Sequence, residues 1–504
     1  MKTRIVALFL LLALIFSLLV ACEGGGNVVT DGGDRVNGSW EGVDFQGQEV
    51  RFCISVNQNN EFTFPAADIY TRGPDTASSN EVAKEVLARN AKAVEELGIT
   101  ITYSETNTYT SAVHEELRTI VQTSSKNAPD VFNNDIYGIS RAMVDGLLWN
   151  IADPGEGVKN YFDFTQEGWY EDFMKGCTFD QSKRYIFAGD YFIDMIRMAW
   201  VIYVNNEILS NNIKKMPTWC QSVDIFYEYV ADGFWDFDVL ADFSARVFVD
   251  GTEGVRGETE KTDQIVGLAV NHTTDWIFSA TSNVTVYYQD VENGYAPRVM
   301  DSIDTYQKVA DKFVAMQETV GVYWQQEVLS STECFLQGNF LFAISRLGEM
   351  ESSALRDFTA PKGLVPTPKW DQDAQEDYHT CLHDQAEVGC ILNTARAYSA
   401  ASALMEFLNE ESDKVVHAYY EKGLKYKYND DKNARTMMDI VRETTDSPFG
   451  FQIGVLCQTL YSGTTPLHGM YIESNKSCAS TFASEKDAYK SCMELMIQKF
   501  ATLK

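Results

Sequence analysis

The chain has no Cys-x-x-Cys pair, and its ten cysteines, at 22, 53, 177, 220, 334, 381, 390, 457, 478 and 492, follow no regular spacing. That excludes a zinc knuckle and a small disulfide scaffold, both of which need sulfur at short fixed intervals. Gly-x-Ser-x-Gly, the phosphate-cradling loop, the dinucleotide glycine fingerprint and His-Glu-x-x-His are absent as well, which removes the motif basis for esterase, nucleotide-binding and zinc-protease readings. Positive charge is scarce: 41 Lys and Arg stand against 72 Asp and Glu, a formal net charge of −31. Such a chain repels nucleic acid and anionic lipid surfaces. Long apolar runs are lacking too, with one exception from Ile5 to Val20.

That run follows Lys2 and Arg4 and ends in Leu19-Val20-Ala21-Cys22, then Glu23-Gly24-Gly25-Gly26. The box looks like a bacterial lipoprotein processing site. Residues 1–21 would be a signal peptide, and acylation of Cys22 would hold everything after it outside the cell membrane on lipid, with no membrane-spanning helix. The alternative is an uncleaved helix, since Ile5–Ala21 is about long enough to cross a bilayer. Either way the bulk of the chain is extracytoplasmic. Residues 22–46, rich in Gly, Asn and Asp, read as a flexible tether. The other nine cysteines read as mainly unpaired thiols, with bridges such as Cys381 to Cys390 or Cys478 to Cys492 as the competing reading.

A 504-residue chain is too long for one core and calls for two large lobes or three smaller domains. Glu49–Val56 has the β-branched and aromatic content of a strand. Ser78-Ser79-Asn80-Glu81 opens a helix whose Val82, Val86, Ala93 and Leu97 share one face, Gly98 supplies the positive φ that ends it, and Ile99–Tyr103 alternates as a strand. Strand, helix, strand predicts a parallel crossover. The signals recur: a helix around Val113, Leu117, Ile120 and Val121, a short strand at Val131-Phe132, and a helix through Ile139, Met143 and Leu147. Further strands are expected at 184–188, 198–204, 265–270 and 340–344, with helices at 223–231, 302–318, 395–408, 434–443 and 484–501.

The ordered set Ala128-Pro129-Asp130-Val131, Asn133-Asn134-Asp135-Ile136-Tyr137-Gly138, Arg184–Asp190, Val201–Leu209, Met216-Pro217-Thr218-Trp219, Phe335–Phe342 and Gly363–Asp371 resembles the extracellular solute-binding proteins of ABC importers. Within that family it is similar to the large sugar-binding group, in a branch common in anaerobic Gram-positive bacteria. Asn205-Asn206 departs from the Asn-Lys pair usual after the crossing strand, and the loop Asn57–Ser79 is long. The resemblance implies an α/β, two-lobed periplasmic-binding-protein-like fold of type II, with discontinuous lobes joined by hinge crossings. The first lobe would take residues 47–189 and 385–430, the second 190–384 and 431–504. It also implies a carbohydrate ligand, permease subunits of the transporter as partners, contact with membrane through the lipid anchor alone, no cofactor, and a monomer.

Sugars are held by flat aromatic faces and by planar polar side chains that make paired hydrogen bonds. On that chemistry and the family's contact segments, the candidate ligand-binding residues are Asn134, Asp135 and Tyr137 after the Val131 strand, Tyr191 and Asp194 in the hinge, Asp275 and Trp276 in the second lobe, and Arg346. Asp135 has a competing reading as the cap of the next helix, Trp276 as ordinary packing, and Arg346 as a surface ion pair.

His379-x-x-x-His383 has the spacing of two imidazoles on one helical face, but no third ligand can be named. Asp371, Asp373, Gln375 and Asp377 alternate like a calcium loop, yet Glu376 stands where Gly is required and Leu382 where a closing Glu belongs. His114-Glu115-Glu116-Leu117-Arg118 reads as a helix surface. No catalytic or metal residue is therefore assigned. The function expected is capture of a sugar or oligosaccharide by lobe closure and its delivery to a permease. The rivals are a secreted glycoside hydrolase, which needs only two carboxylates across a glycosidic bond, and a receptor for another solute such as a peptide.

Overall fold

A computed structural model describes residues 39–56, 67–74, 80–250, 264–270, 274–324, 331–427, 432–445, 449–450, 452, 456 and 478–503. The leader, Cys22, Cys457 and most of the loop 57–79 lie outside the described residues.

The strands are β1 Gln48–Ser55, β2 Ile99–Thr106, β3 Val131–Asp135, β4 Trp200–Asn205, β5 Val266–Val270, β6 Tyr287–Asp290, β7 Ala296–Val299, β8 Val322–Trp324, β9 Phe340–Arg346, β10 Lys362–Pro366 and β11 Glu387–Ile391. They form two main sheets, ordered β11-β3-β1-β2 and β10-β4-β9-β5-β8, and the hairpin β6-β7. In the first sheet β1 runs parallel to β2 and β3, while β11 returns antiparallel against β3. The second pairs β5 in parallel with β8 and β9, and β4 antiparallel with β9 and β10. Every residue of β3, β4, β5 and β11 is buried. That is why β4 and β5 read as short apolar runs: both faces are covered.

The principal helices are α1 Glu81–Leu97, α2 Ser111–Thr123, α3 Ile136–Met143, α4 Glu171–Gly176, α5 Asp194–Arg197, α6 Asn206–Asn211, α7 Val223–Ala231, α8 Phe237–Val247, α9 Thr274–Thr281, α10 Asp304–Glu318, α11 Tyr398–Glu410, α12 Lys432–Glu443 and α13 Cys478–Thr502. In α1 the four residues expected on one face, Val82, Val86, Ala93 and Leu97, are all buried, and Gly98 closes the helix at φ 60°. The left-handed conformation there is one that a Cβ would strain. Asn80 caps α1 by accepting from Val82 N at 2.9 Å. The expected parallel crossover from β1 to β2 is present, in register from Gln48 with Ile99 to Ser55 with Thr106.

Several expectations are corrected. Residues 184–188 form no continuous strand; Phe187 makes a single antiparallel bridge with Gly389. The ring of Phe187 lies across that glycine, where a Cβ would stand 2.2 Å from Phe187 Cε2. His114 does not face solvent but is buried and meets Asp145 at 2.8 Å. Neither proposed bridge exists, because Cys381, Cys390 and Cys478 are free thiols, whereas Cys492 is disulfide-bonded. The 371–377 stretch, by contrast, is a turn as its sequence suggests, in which Asp371 accepts from Asp373 N and Ala374 N and from Lys312 at 2.7 Å.

The last helix, α13, is 25 residues long, about 37 Å at 1.5 Å per residue. Its first half packs on the second sheet's side: Ala479 N bonds Gln307 of α10, Lys486 bonds the Asp301 carbonyl, and the ring of Tyr489 lies 5.9 Å from that of Tyr287. Its end reaches the first sheet's side, where Phe500 packs 4.4 Å from Phe179 and the Phe500 carbonyl accepts from Lys183. The helix is thus a strut between the two halves. Among the described residues no helix is long and apolar enough to cross a membrane.

Candidate functional site

The chain passes from the first sheet to the second through α5 into β4, and returns through 378–387 into β11. Buried charge organises these crossings. Arg197 pairs with Asp194 at 3.4 Å and with Glu351 at 3.1 Å, and Glu351 also accepts from the hydroxyls of Tyr70 and Tyr419. Asp194 accepts from Glu387 N at 3.1 Å. Burial raises the Asp194 carboxyl above its ordinary range, and burial beside Asp194 does the same to Glu387.

Next to the returning crossing lies a cavity of about 710 Å³. Ile136, just past β3, and Asp172 and Phe173 of α4 form one wall. Trp276 and Ala280 of α9, which follows β5, form another. His379–Asp384 make the floor, and the hairpin contributes Tyr287, Tyr288, Gln289 and Tyr295. Elements just beyond the carboxyl ends of β3 and β5 thus converge on one space, as open α/β sheets favour. The hairpin is tied to the α4 wall, since Gln289 Nε2 donates to the carbonyls of Lys175 and Thr178, both at 2.9 Å. Tyr295 sits at φ 61° after Gly294 at 71°. A bulky residue held in the left-handed region is strained, and such strain clusters at functional positions.

The eight candidate residues separate. Trp276 lines the cavity, half-buried, with its ring edge-on to Trp200. Asp275 lies in α9, and its side chain is outside the described atoms. Asp135 is fully buried and capped: Oδ1 accepts from Gly138 N at 2.6 Å and Oδ2 from Thr110 N at 2.7 Å. Burial lifts its carboxyl to about 7, opposed by those amides and aided by Asp384. Both oxygens are therefore committed to holding the starts of α2 and α3. Asn134 is equally buried and donates to the Thr108 carbonyl. Tyr137 is half-buried under the Arg141 guanidinium, which lies 4.6 Å from its ring and donates to its hydroxyl. Tyr191 is buried beneath Arg89, 4.7 Å from the ring centre. Asp194 is the hinge ion pair described above, and Arg346 pairs with Glu349.

Missed by sequence reading were Asp172, the hairpin tyrosines and the His379–Asp384 floor. His379 and His383 had been weighed as metal ligands on a helix; the segment is extended and bridged, Leu382 to Ala199 and Thr380 to Thr445. Among the described residues no three side chains converge as a metal site. The density of tyrosine at 287, 288 and 295 was the available signal.

No family model and no curated protein matches the sequence. Solved structures do match in shape. The GacH receptor of Streptomyces glaucescens, solved unliganded and with acarbose, aligns with a TM-score of 0.52 and 12% identity over 89% of this chain and 99% of its own. The galacto-N-biose/lacto-N-biose I-binding protein of a Bifidobacterium longum ABC transporter gives 0.52 and 12% over 91% and 99%. The cyclic α-maltosyl-1,6-maltose binding protein of Arthrobacter globiformis gives 0.54 and 11% over 89% and 99%. The chain has the periplasmic-binding-protein-like fold. In this fold the two sheets with their flanking helices are the lobes, and the cavity lies where elements of both approach each other.

Proposed function

We propose that this chain is an extracytoplasmic substrate-binding lipoprotein that captures a sugar or oligosaccharide between its lobes and delivers it to an ABC transporter permease. The observation that carries the reading is the cavity at the strand ends, with Trp276, Tyr288 and Tyr295 for stacking and Gln289, Asn283 and three aspartates for hydroxyl groups. Fold likeness to three carbohydrate-binding proteins supports it. Ligand touching both walls stabilises the closed form by the contacts that only this form makes. The lobes are residues 47–189 with 385–430 and residues 190–384 with 431–504, the end of α13 reaching back to the first. Cys22 carries the lipid, and the role is binding without chemistry.

A thermal-shift screen of the purified chain across neutral oligosaccharides tests this, because a ligand that binds only the folded form raises the melting temperature. A rise with a particular glycan that is recovered intact supports the receptor. Release of shorter sugars means a hydrolase, and a rise with peptides alone means a different solute. Incorporation of labelled fatty acid, lost in Cys22→Ser, tests the anchor.

A further inference from the structure

Resting on the reading of the cavity as the solute site, its charge defines a class of ligand. Asp172, Asp301 and Asp384 line it, and among its described lining residues there is no lysine or arginine. Two lysines that touch lining residues already hold other contacts. Lys175 lies 3.3 Å from both Glu171 and Asp172, with its ammonium 5.6 Å from the Tyr295 ring. Lys486 donates to the Asp301 carbonyl and sits over Phe482. The His383 ring, which also lines the cavity, stacks on Trp200. Trp200, only 8% exposed between His383 and Trp276, has an indole N–H with no hydrogen-bond partner among the described residues. An orphaned buried donor beside a cavity suits a ligand oxygen as acceptor, and does not by itself select its charge.

An acidic solute entering here would meet three carboxylates and, among the described lining residues, no lysine or arginine, inside a molecule whose formal charge is −31. Walls of one sign focus the field into a cleft and raise the local concentration of the opposite sign. We propose that the cavity excludes acidic sugars, uronates and phosphorylated glycans among them, and admits neutral sugars and those bearing a protonated amino group.

The test is isothermal titration of the purified chain with matched oligomers of one length: a neutral glucose series, a glucosamine series and a galacturonate series. Neutral and amino sugars are expected to bind, the amino sugar losing affinity as salt rises, and the galacturonate to bind at least about tenfold more weakly. Galacturonate binding as tight as neutral binding overturns the proposal. If no oligosaccharide binds, the sugar reading fails by itself. Charge selection is then decided by Lys- against Glu-containing tripeptides in the same assay, where preference for the acidic peptide overturns it. Asp172→Asn with Asp384→Asn should narrow the acidic-to-neutral gap, and an unchanged gap argues against those carboxylates as its cause.

Discussion

Trp276 meets Trp200 edge to face, ring centroids 6.1 Å apart and planes at 82°, while Trp200 stacks on His383 at 5.4 Å. Three side chains from α9, β4 and the returning crossing therefore form one aromatic wall, fixed to the hinge and facing the cavity through Trp276 and His383. Loss of a good aromatic contact costs about 1 to 3 kcal/mol. Trp276→Ala is expected to weaken sugar binding by that amount in calorimetry, with little change in melting temperature without ligand. Unaltered affinity would take Trp276 out of the site.

Asp135→Ala removes an acceptor from two buried backbone amides, those of Thr110 and Gly138. An orphaned cap costs about 1 to 3 kcal/mol. Urea denaturation should show that loss, while a glycan that raises the melting temperature of the parent chain should still bind. A chain as stable as the parent would mean that the cap contributes nothing.

Glu406 sets a pH dependence. It lies under α11's packing face, accepting from Asp163 N at 2.9 Å and Trp169 Nε1 at 3.2 Å, and burial lifts its carboxyl to about 8. The folded state thus holds a proton that the unfolded chain releases near its ordinary value. This group's contribution to stability is full below about 4.5 and falls as pH rises toward 8. In Glu406→Gln the amide oxygen can accept both bonds, so the variant should melt higher than the parent at pH 8.5, with a flatter slope between pH 5 and 8. An identical slope in both proteins would exclude Glu406 as its source.

Phe500→Ala cuts the end of the α13 strut, where the ring is 1% exposed and packs on Phe179. A buried Phe→Ala change costs about 3 to 5 kcal/mol. Thermal unfolding should register it, and small-angle scattering should report a larger radius of gyration if the strut restrains the lobes. An unchanged radius would limit the helix to a packing role.

Arg197→Met should destabilise the fold by about 3 to 5 kcal/mol, because Asp194 is left buried without its cation and Glu351 loses its hinge partner. Wild-type stability on chemical denaturation would show that the hydrogen bonds around these carboxylates suffice.

Local pattern was enough to specify many of the helices and the strands at β1, β2, β4, β5 and β9, because alternation and the 3.6-residue stripe are written within a few residues of each other, but not the hairpin, β8, β10 or β11. Val82 to Leu97 with Gly98 behind them needed no tertiary information. The α/β class was legible from the order of such segments, and the two-lobed fold from the resemblance to solute-binding proteins. Which polar side chains face the cavity was not, since Asp135 and Trp276 look alike as polar or aromatic residues just past a strand. Only the assembled structure turns Asp135 inward onto two helix starts and brings Ile136, Asp172, Trp276, Tyr295 and Asp384 to one space. That convergence, like the reach of α13 across both halves, depends on pairings between residues hundreds of positions apart. Their free energy is settled by packing the whole chain and leaves no periodic trace in any one segment.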